Sequence, residues 1–169
     1  YIPRPLAGSV QIEKKTKDDT VNIVLDSVRQ RRQTLVFCSS KKAAESQAEK
    51  IAKANTDAFP QHKDLAEEIL SVLANPTKQC KRLASCISKG IAFHHAGLVS
   101  QQRDLIENAF RDGILHAICS TPTLAAGLDL PAFRAIIRDT KRFGARGMTP
   151  IPVLEYLQMA GRAGRPGQE

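Results

Sequence analysis

Thr34 to Ser39 reads Thr-Leu-Val-Phe-Cys-Ser, an apolar run without polar alternation. A strand with one wet face alternates; a continuous run suits a strand buried on both faces, the usual state of a central strand in a parallel sheet. The flanks agree with this. Upstream, Val21, Val24, Leu25 and Val28 recur at i, i+3, i+4 and i+7, the spacing of a helix face. Downstream, Ser39 or Ser40 can cap a helix whose Ala44, Ala48, Ile51 and Ala52 form a small-residue face able to pack close to a sheet. Helix, buried strand and helix in succession predict an α/β domain with a parallel sheet flanked by helices on both faces.

The rest of the chain continues the alternation. Val10 and Ile12 lie on one face of a short strand at Ser9 to Glu13. From Asp64, Leu65, Ile69, Val72 and Leu73 describe a helix that should stop before Asn75-Pro76. Cys80, Leu83, Ala84 and Ile87 describe another, closed by Lys89-Gly90, a cationic last turn followed by the glycine a C-cap prefers. Ile91 to Phe93 is a short strand. Ser100 opens a helix with Leu105, Ile106, Ala109 and Phe110 inward, ended by Asp112-Gly113. Ile114 to Ser120 and Arg134 to Asp139 supply two more strands, and Pro152 suits the first residue of a final helix. One domain over 9–169 is expected, with Tyr1 to Gly8, carrying Pro3 and Pro5, as a linker from a domain upstream.

Composition narrows the partners. A chain of 169 residues with 42% apolar content can bury one core. Its formal charge of +8 favours a polyanion, which charge alone leaves open among nucleic acid, acidic protein and membrane surface. With no Trp and two Tyr, base stacking is a minor theme. Cys38, Cys80, Cys86 and Cys119 form no C-x-x-C pair, and a domain of this size needs no disulfide framework. No run of 18 apolar residues or signal-peptide pattern occurs, so a soluble chain in the cytoplasm, or in the nucleus of a eukaryote, with no membrane partner is expected; a monomer is expected as well.

In parallel sheets the functional loops gather at the carboxyl ends of the strands, and the chemistry-bearing segments fall there. Ser39 and Ser40 can cap a helix, contact a phosphate, or do both. His94 and His95 are adjacent on an extended segment and so point to opposite faces, without a Cys or carboxylate cluster at metal-ligand spacing; no metal site is expected. Ser120 to Pro131 places small residues and hydroxyls after a strand, a backbone that can approach a ligand, with Asp129 able to accept from hydroxyl groups. Finally, on a continuing helix Gln158, Arg162 and Arg165 fall at i, i+4 and i+7 and share one face, with Gly161 and Gly164 between them. Guanidinium groups there can meet phosphate bidentately, or can sit in solvent at a helix C-terminus.

The ten residues Gln158-Met159-Ala160-Gly161-Arg162-Ala163-Gly164-Arg165-Pro166-Gly167 resemble the last motif of superfamily two helicases, in the form used by the Ski-like branch. Phe93-His94-His95-Ala96-Gly97-Leu98 resembles that branch's His-His-Ala-Gly-Leu segment, and Ser120 to Pro131 its motif that touches both nucleic acid and nucleotide. Gly164-Arg165-Pro166-Gly167 and the short link from Asp139 to Gln158 look most like archaeal fork-repair helicases. The resemblance implies a RecA-like fold, with Arg162 and Arg165 as catalytic groups at the γ-phosphate of ATP, Arg165 being the arginine finger. It implies nucleotide contacts at Gly127, Asp129 and Gln158, and strand contacts at His95, Gly97, Thr121 and Thr123, beside Ser39 and Ser40. Asp129 departs from the asparagine common in the Ski-like branch.

The sequence holds no G-x-x-x-x-G-K-S/T and no Asp-Glu pair for magnesium. ATP and Mg²⁺ are therefore expected to be bound mainly by an upstream RecA-like domain, and this chain alone to be inactive as an ATPase. The implied function is that of the second motor domain of a 3′-to-5′ helicase acting on single-stranded or forked DNA in repair or fork processing. An RNA helicase of the same branch and a non-enzymatic nucleic-acid-binding module of the same fold remain as alternatives.

Overall fold

The strand of residues 34–38 lies in the middle of the sheet. The computed structural model describes residues 16–121, 130, 132, 134–138 and 153–155. In chain order the elements are α1 (Asp19–Arg29), β1 (Thr34–Cys38), α2 (Lys41–Ala54), α3 (Pro60–Ser71), α4 (Lys78–Ile87), β2 (Ile91–His94), α5 (Ser100–Arg111), β3 (Ala117–Ser120), β4 (Arg134–Arg138) and β5 (Val153–Glu155). The sheet order is β2-β3-β1-β4-β5, with the first four strands parallel. The expected parallel α/β architecture is thus present, and β5 adds an antiparallel strand on β4.

Local chemistry sets the helix starts. Asp18 Oδ1 accepts from the main-chain N–H of Thr20 at 2.9 Å, Ser40 Oγ from that of Ala43 at 3.1 Å, and Thr77 Oγ1 from that of Cys80 at 3.2 Å. Each satisfies a donor that the first helical turn leaves open. At the other ends, α4 and α5 are followed by Gly90 at φ +82° and Gly113 at φ +79°, left-handed positions where a Cβ costs energy.

Every residue of β2 and β3 is buried, although β2 stands at the edge of the sheet. The helices account for this: α2 and α4 pack against β2, α3 against α4, and α5 against β2 and α3, so the helical layer wraps the edge strand. Phe93, Phe110, Leu35, Ile51, Leu83 and Ile118 are among the fully buried large side chains. Truncating one of these aliphatic residues to Ala should cost about 2–5 kcal/mol. The four cysteines are free and buried; burial pushes the Cys38 thiol up to about 11 and that of Cys86 to about 12. Among the described residues, no helix is long and apolar enough to cross a membrane.

Three sequence expectations need correction. The helix expected from Asp64 begins at Pro60, whose fixed φ suits a first helical position, and Val72 is its cap, leaving Leu73 outside. The strand expected from Ile114 begins at Ala117; the N–H groups of Ile114 and His116 instead bond to the carbonyls of Ala109 and Gly90. The helix expected to open at Pro152 is contradicted by β5, where Val153, Leu154 and Glu155 pair with Ile136, Ala135 and Arg134. A proline suits the residue before a strand as well as a helix start, and the open ladder of β4 offers main-chain bonds that local propensity does not count. The proposed linker at 1–8, the strand at 9–13, and Thr123, Gly127, Asp129, Pro152, Gln158, Arg162 and Arg165 lie outside the described residues.

Candidate nucleic-acid interface

Strand register brings the candidate contacts to one edge. His94 of β2 and Phe37 of β1 both pair with Ser120 of β3, so the three parallel strands finish at nearly one level. Ser39-Ser40, the 95–99 turn and Thr121 leave from that level on three neighbouring strands. Ser39 and Ser40 are exposed, followed by exposed Lys41 and Lys42 on the first turn of α2. Thr121 is half-buried, and its carbonyl accepts from Ser120 Oγ at 2.7 Å.

The 95–99 turn is exposed on one side and anchored on the other. Ala96, Gly97 and Val99 are exposed, while His95 and Leu98 are buried. The His95 ring lies flat on Phe93, at 5.6 Å between centroids and 7° between planes. Its Nδ1 accepts from the Gly97 N–H at 3.0 Å, which leaves Nε2 as the protonated nitrogen, donating to Glu45 Oε2 at 2.7 Å. A Cβ at Gly97 would stand 2.9 Å from His95 Cε1, so a side chain here would displace the ring. His95 is therefore interior support for the turn, and the surface the turn offers at this edge is that of Ala96 and Gly97.

The two histidines face opposite sides of the sheet, the alternation of β2 carrying on into the first residue of the turn. His94 Nε2 bonds Glu107 Oε2 on α5 at 2.7 Å, whereas His95 reaches α2. Burial lowers the pKa of His94 below its ordinary value, against the bond and charge of Glu107, and Arg103 adds to the lowering. Among the described residues, no group of three or more His, Cys, Asp or Glu could hold a metal ion.

Glu45 is the residue the sequence reading did not single out. Besides His95, it accepts from Gln79 Nε2 at 2.9 Å on Oε2 and from Arg82 Nη1 at 2.8 Å on Oε1. Arg82 also grips Glu49 through Nε at 3.0 Å and Nη2 at 2.8 Å. Burial, the largest influence, pushes the Glu45 carboxyl up; the bonds from Gln79 and His95 and the charge of Arg82 together outweigh it and hold it below the ordinary value. The only signal in the sequence was a carboxylate set inside the alanine-rich face of α2.

A parallel sheet, buried strands and turns collected at one edge define a RecA-like α/β domain. The chain belongs to the helicase conserved C-terminal domain family, whose profile matches residues 68–167, and within it to the Hel308-like type of superfamily two. It is 43% identical over 162 residues to the ATP-dependent DNA helicase Hel308 of Methanococcus vannielii, covering 92% of this chain and 21% of the relative. Against Hel308 of Methanocella arvoryzae the identity is 49% over 153 residues, covering 88% and 21%. Against that of Pyrobaculum calidifontis it is 46% over 165 residues, covering 95% and 23%. The chain thus spans about a fifth of the length of these relatives.

Proposed function

We propose that residues 9–169 are the second motor domain of an ATP-dependent DNA helicase, and that the edge formed by Ser39-Ser40, Ala96-Gly97 and Thr121 carries a single strand. The observation that supports this most directly is the common level at which β1, β3 and β2 end. Hydroxyls, the lysines at 41 and 42, and main-chain N–H groups other than that of Gly97, which is taken by His95, are the groups that meet phosphate oxygens without reading bases. The formal charge of +8 agrees with such a partner, as does the similarity to ATP-dependent DNA helicases.

Under this reading Gln158, Arg162 and Arg165 face the phosphates of ATP held, with Mg²⁺, mainly by an upstream RecA-like domain, and Gly127 and Asp129 lie beside the nucleotide. Bound ATP supplies the free energy of phosphoryl transfer. The guanidinium of Arg165 stabilises charge that develops on the transferred group, a role for which its planar fork is suited. Thr123 joins the strand contacts. His95 contributes by shaping its turn rather than by touching the strand.

The test is binding of a labelled oligothymidine to the 169-residue chain across a salt series, with matched oligouridine alongside. For roughly three neutralised phosphates the slope of log K against log salt should be about −2. Salt-independent binding would remove the phosphate assignment, and clearly tighter binding of the RNA would move the proposal to an RNA helicase.

A further inference from the structure

We infer that Glu45 is a positioning residue for the strand-contacting turn, holding Ala96 and Gly97 in shape through His95. The inference rests on the proposed strand edge, but its geometry stands apart from it. The Glu45 side chain is 10% exposed and that of His95 1%, so their 2.7 Å bond is shielded from water. A buried hydrogen bond of this kind is costly to break, because each partner would be left without solvent to replace it. The bond acts on the turn through one rigid ring. Phe93 fixes the ring plane, Glu45 holds Nε2, and the opposite nitrogen takes the Gly97 N–H. The carbonyl of the same histidine accepts from the Leu98 N–H at 3.2 Å, closing the turn.

The same carboxylate links three elements. Glu45 lies on α2, only a turn beyond Ser39-Ser40; Gln79 and Arg82 lie on α4; His95 follows β2. Glu45 therefore joins two of the three proposed strand contacts, those following β1 and β2, in one hydrogen-bonded unit. A shift of α2 relative to β2 would alter the spacing between them. Arg82 contributes differently: 43% exposed and shared with Glu49, it ties α4 to α2 without touching the histidine.

The separation of these roles gives the test. In the unaltered chain, ring-nitrogen NMR should show His95 protonated at Nε2; protonation at Nδ1 would overturn the inference. In Glu45→Ala the amide protons of Gly97 and Leu98 should exchange faster, and oligothymidine affinity should fall roughly tenfold, the scale expected for one lost buried hydrogen bond. Glu45→Leu, which fills the volume but accepts no bond, repeats the measurement should the alanine variant fail to fold. Glu45→Gln keeps an acceptor for His95 and should restore most of the affinity. Arg82→Ala should lower thermal stability yet leave Gly97 exchange and affinity near those of the unaltered chain. Equal losses in Arg82→Ala and Glu45→Ala would assign the effect to helix docking and sink the positioning role, as would unchanged Gly97 exchange in Glu45→Ala. If the unaltered chain binds no oligothymidine, the strand reading fails by itself, and Gly97 exchange still decides whether Glu45 holds the turn.

Discussion

A histidine and a glycine meet at each end of the sheet. Where β2 and β3 begin, a Cβ on Gly90 would stand 2.5 Å from His116 Cδ2 and 2.8 Å from His62 Cε1. Where the strands finish, one on Gly97 would stand 2.9 Å from His95 Cε1. The rings of His62 and His95 bond alike. His62 accepts the Phe59 N–H at Nδ1, at 3.0 Å, and donates from Nε2 to the Ile114 carbonyl at 2.7 Å. His95 accepts the Gly97 N–H and donates to Glu45. What differs is the last partner and the exposure of the glycine. His62 ties main chain to main chain around a buried Gly90, so this end serves the start of α3 and the entry into the strands. His95 ties an exposed turn to a carboxylate that is itself held by two helices. Similar local chemistry therefore supports the fold at one end and shapes a surface at the other. Damage at the first should appear as lost stability, and damage at the second as lost binding or turnover.

The largest effect expected is on turnover. In the full-length parent, Arg165→Ala should cut ATP turnover by about 10³ to 10⁵, the range for arginine fingers in comparable phosphoryl transfers, while nucleotide affinity changes far less. Lysine should rescue poorly, since a point charge does not reproduce the fork. Near-normal turnover in a folded Arg165→Ala enzyme would remove the catalytic assignment. Next comes Gly90→Ala, which combines a left-handed backbone with two crowded rings and should cost on the order of 3 kcal/mol in chemical denaturation. Its folded fraction should bind oligothymidine normally; a binding loss there would break the division between the two ends.

The division was only partly legible in the sequence. The apolar run at 34–38, the glycines after α4 and α5 and the motif-bearing turns were readable because each is set by local pattern or by a short string. Adjacent histidines were correctly expected on opposite faces. The partners of those histidines were not readable: Glu45 and His95 are fifty positions apart, and nothing local links them. His62 was hidden for the same reason, since its bond to Ile114 spans the chain between α3 and β3. The start of α3 at Pro60 was missed because apolar periodicity becomes visible only at Leu65. The strand at 153–155 was misread because its ladder partner, β4, is a tertiary fact.

Acid should affect the buried histidines, His62 at the strand starts and His94 at the end of β2, before the carboxylate network. Burial lowers the pKa of His62 from its ordinary 6.5, over the opposing bond to Ile114 and with help from His116; His94 is lowered from the same value. A proton therefore binds the unfolded chain first as pH falls. Stability should be full above about 6.5 and decline below it, until the folded-state values are passed. Glu45 and Glu49, lowered from 4.5, add a second decline as pH falls below that value and through their folded-state values. Thermal midpoints measured from neutral to acid pH check the order. His62→Gln, which can still accept and donate but does not titrate, should flatten the first decline, leaving the part due to His94. A first decline equally steep in that variant would move the effect away from the strand-start end.

The smallest effect sharpens the cost assigned to Gly90. Gly113 has nearly the same backbone, φ +79° against +82°, and likewise follows a helix, but a Cβ there would have nothing within 4 Å. Gly113→Ala should therefore pay for the left-handed conformation alone, about 1 kcal/mol, or roughly 3 °C in thermal midpoint for a chain of this size. Subtracting it from Gly90→Ala leaves the contribution of crowding against His62 and His116. Asparagine at 113 should be milder than alanine, because its short polar side chain can bond locally in that backbone region. If Gly90→Ala costs no more than Gly113→Ala, the rings at the strand-start end can move aside at no cost. The close approach would then be incidental, and the stabilising role of that end would rest on the bonds of His62 alone.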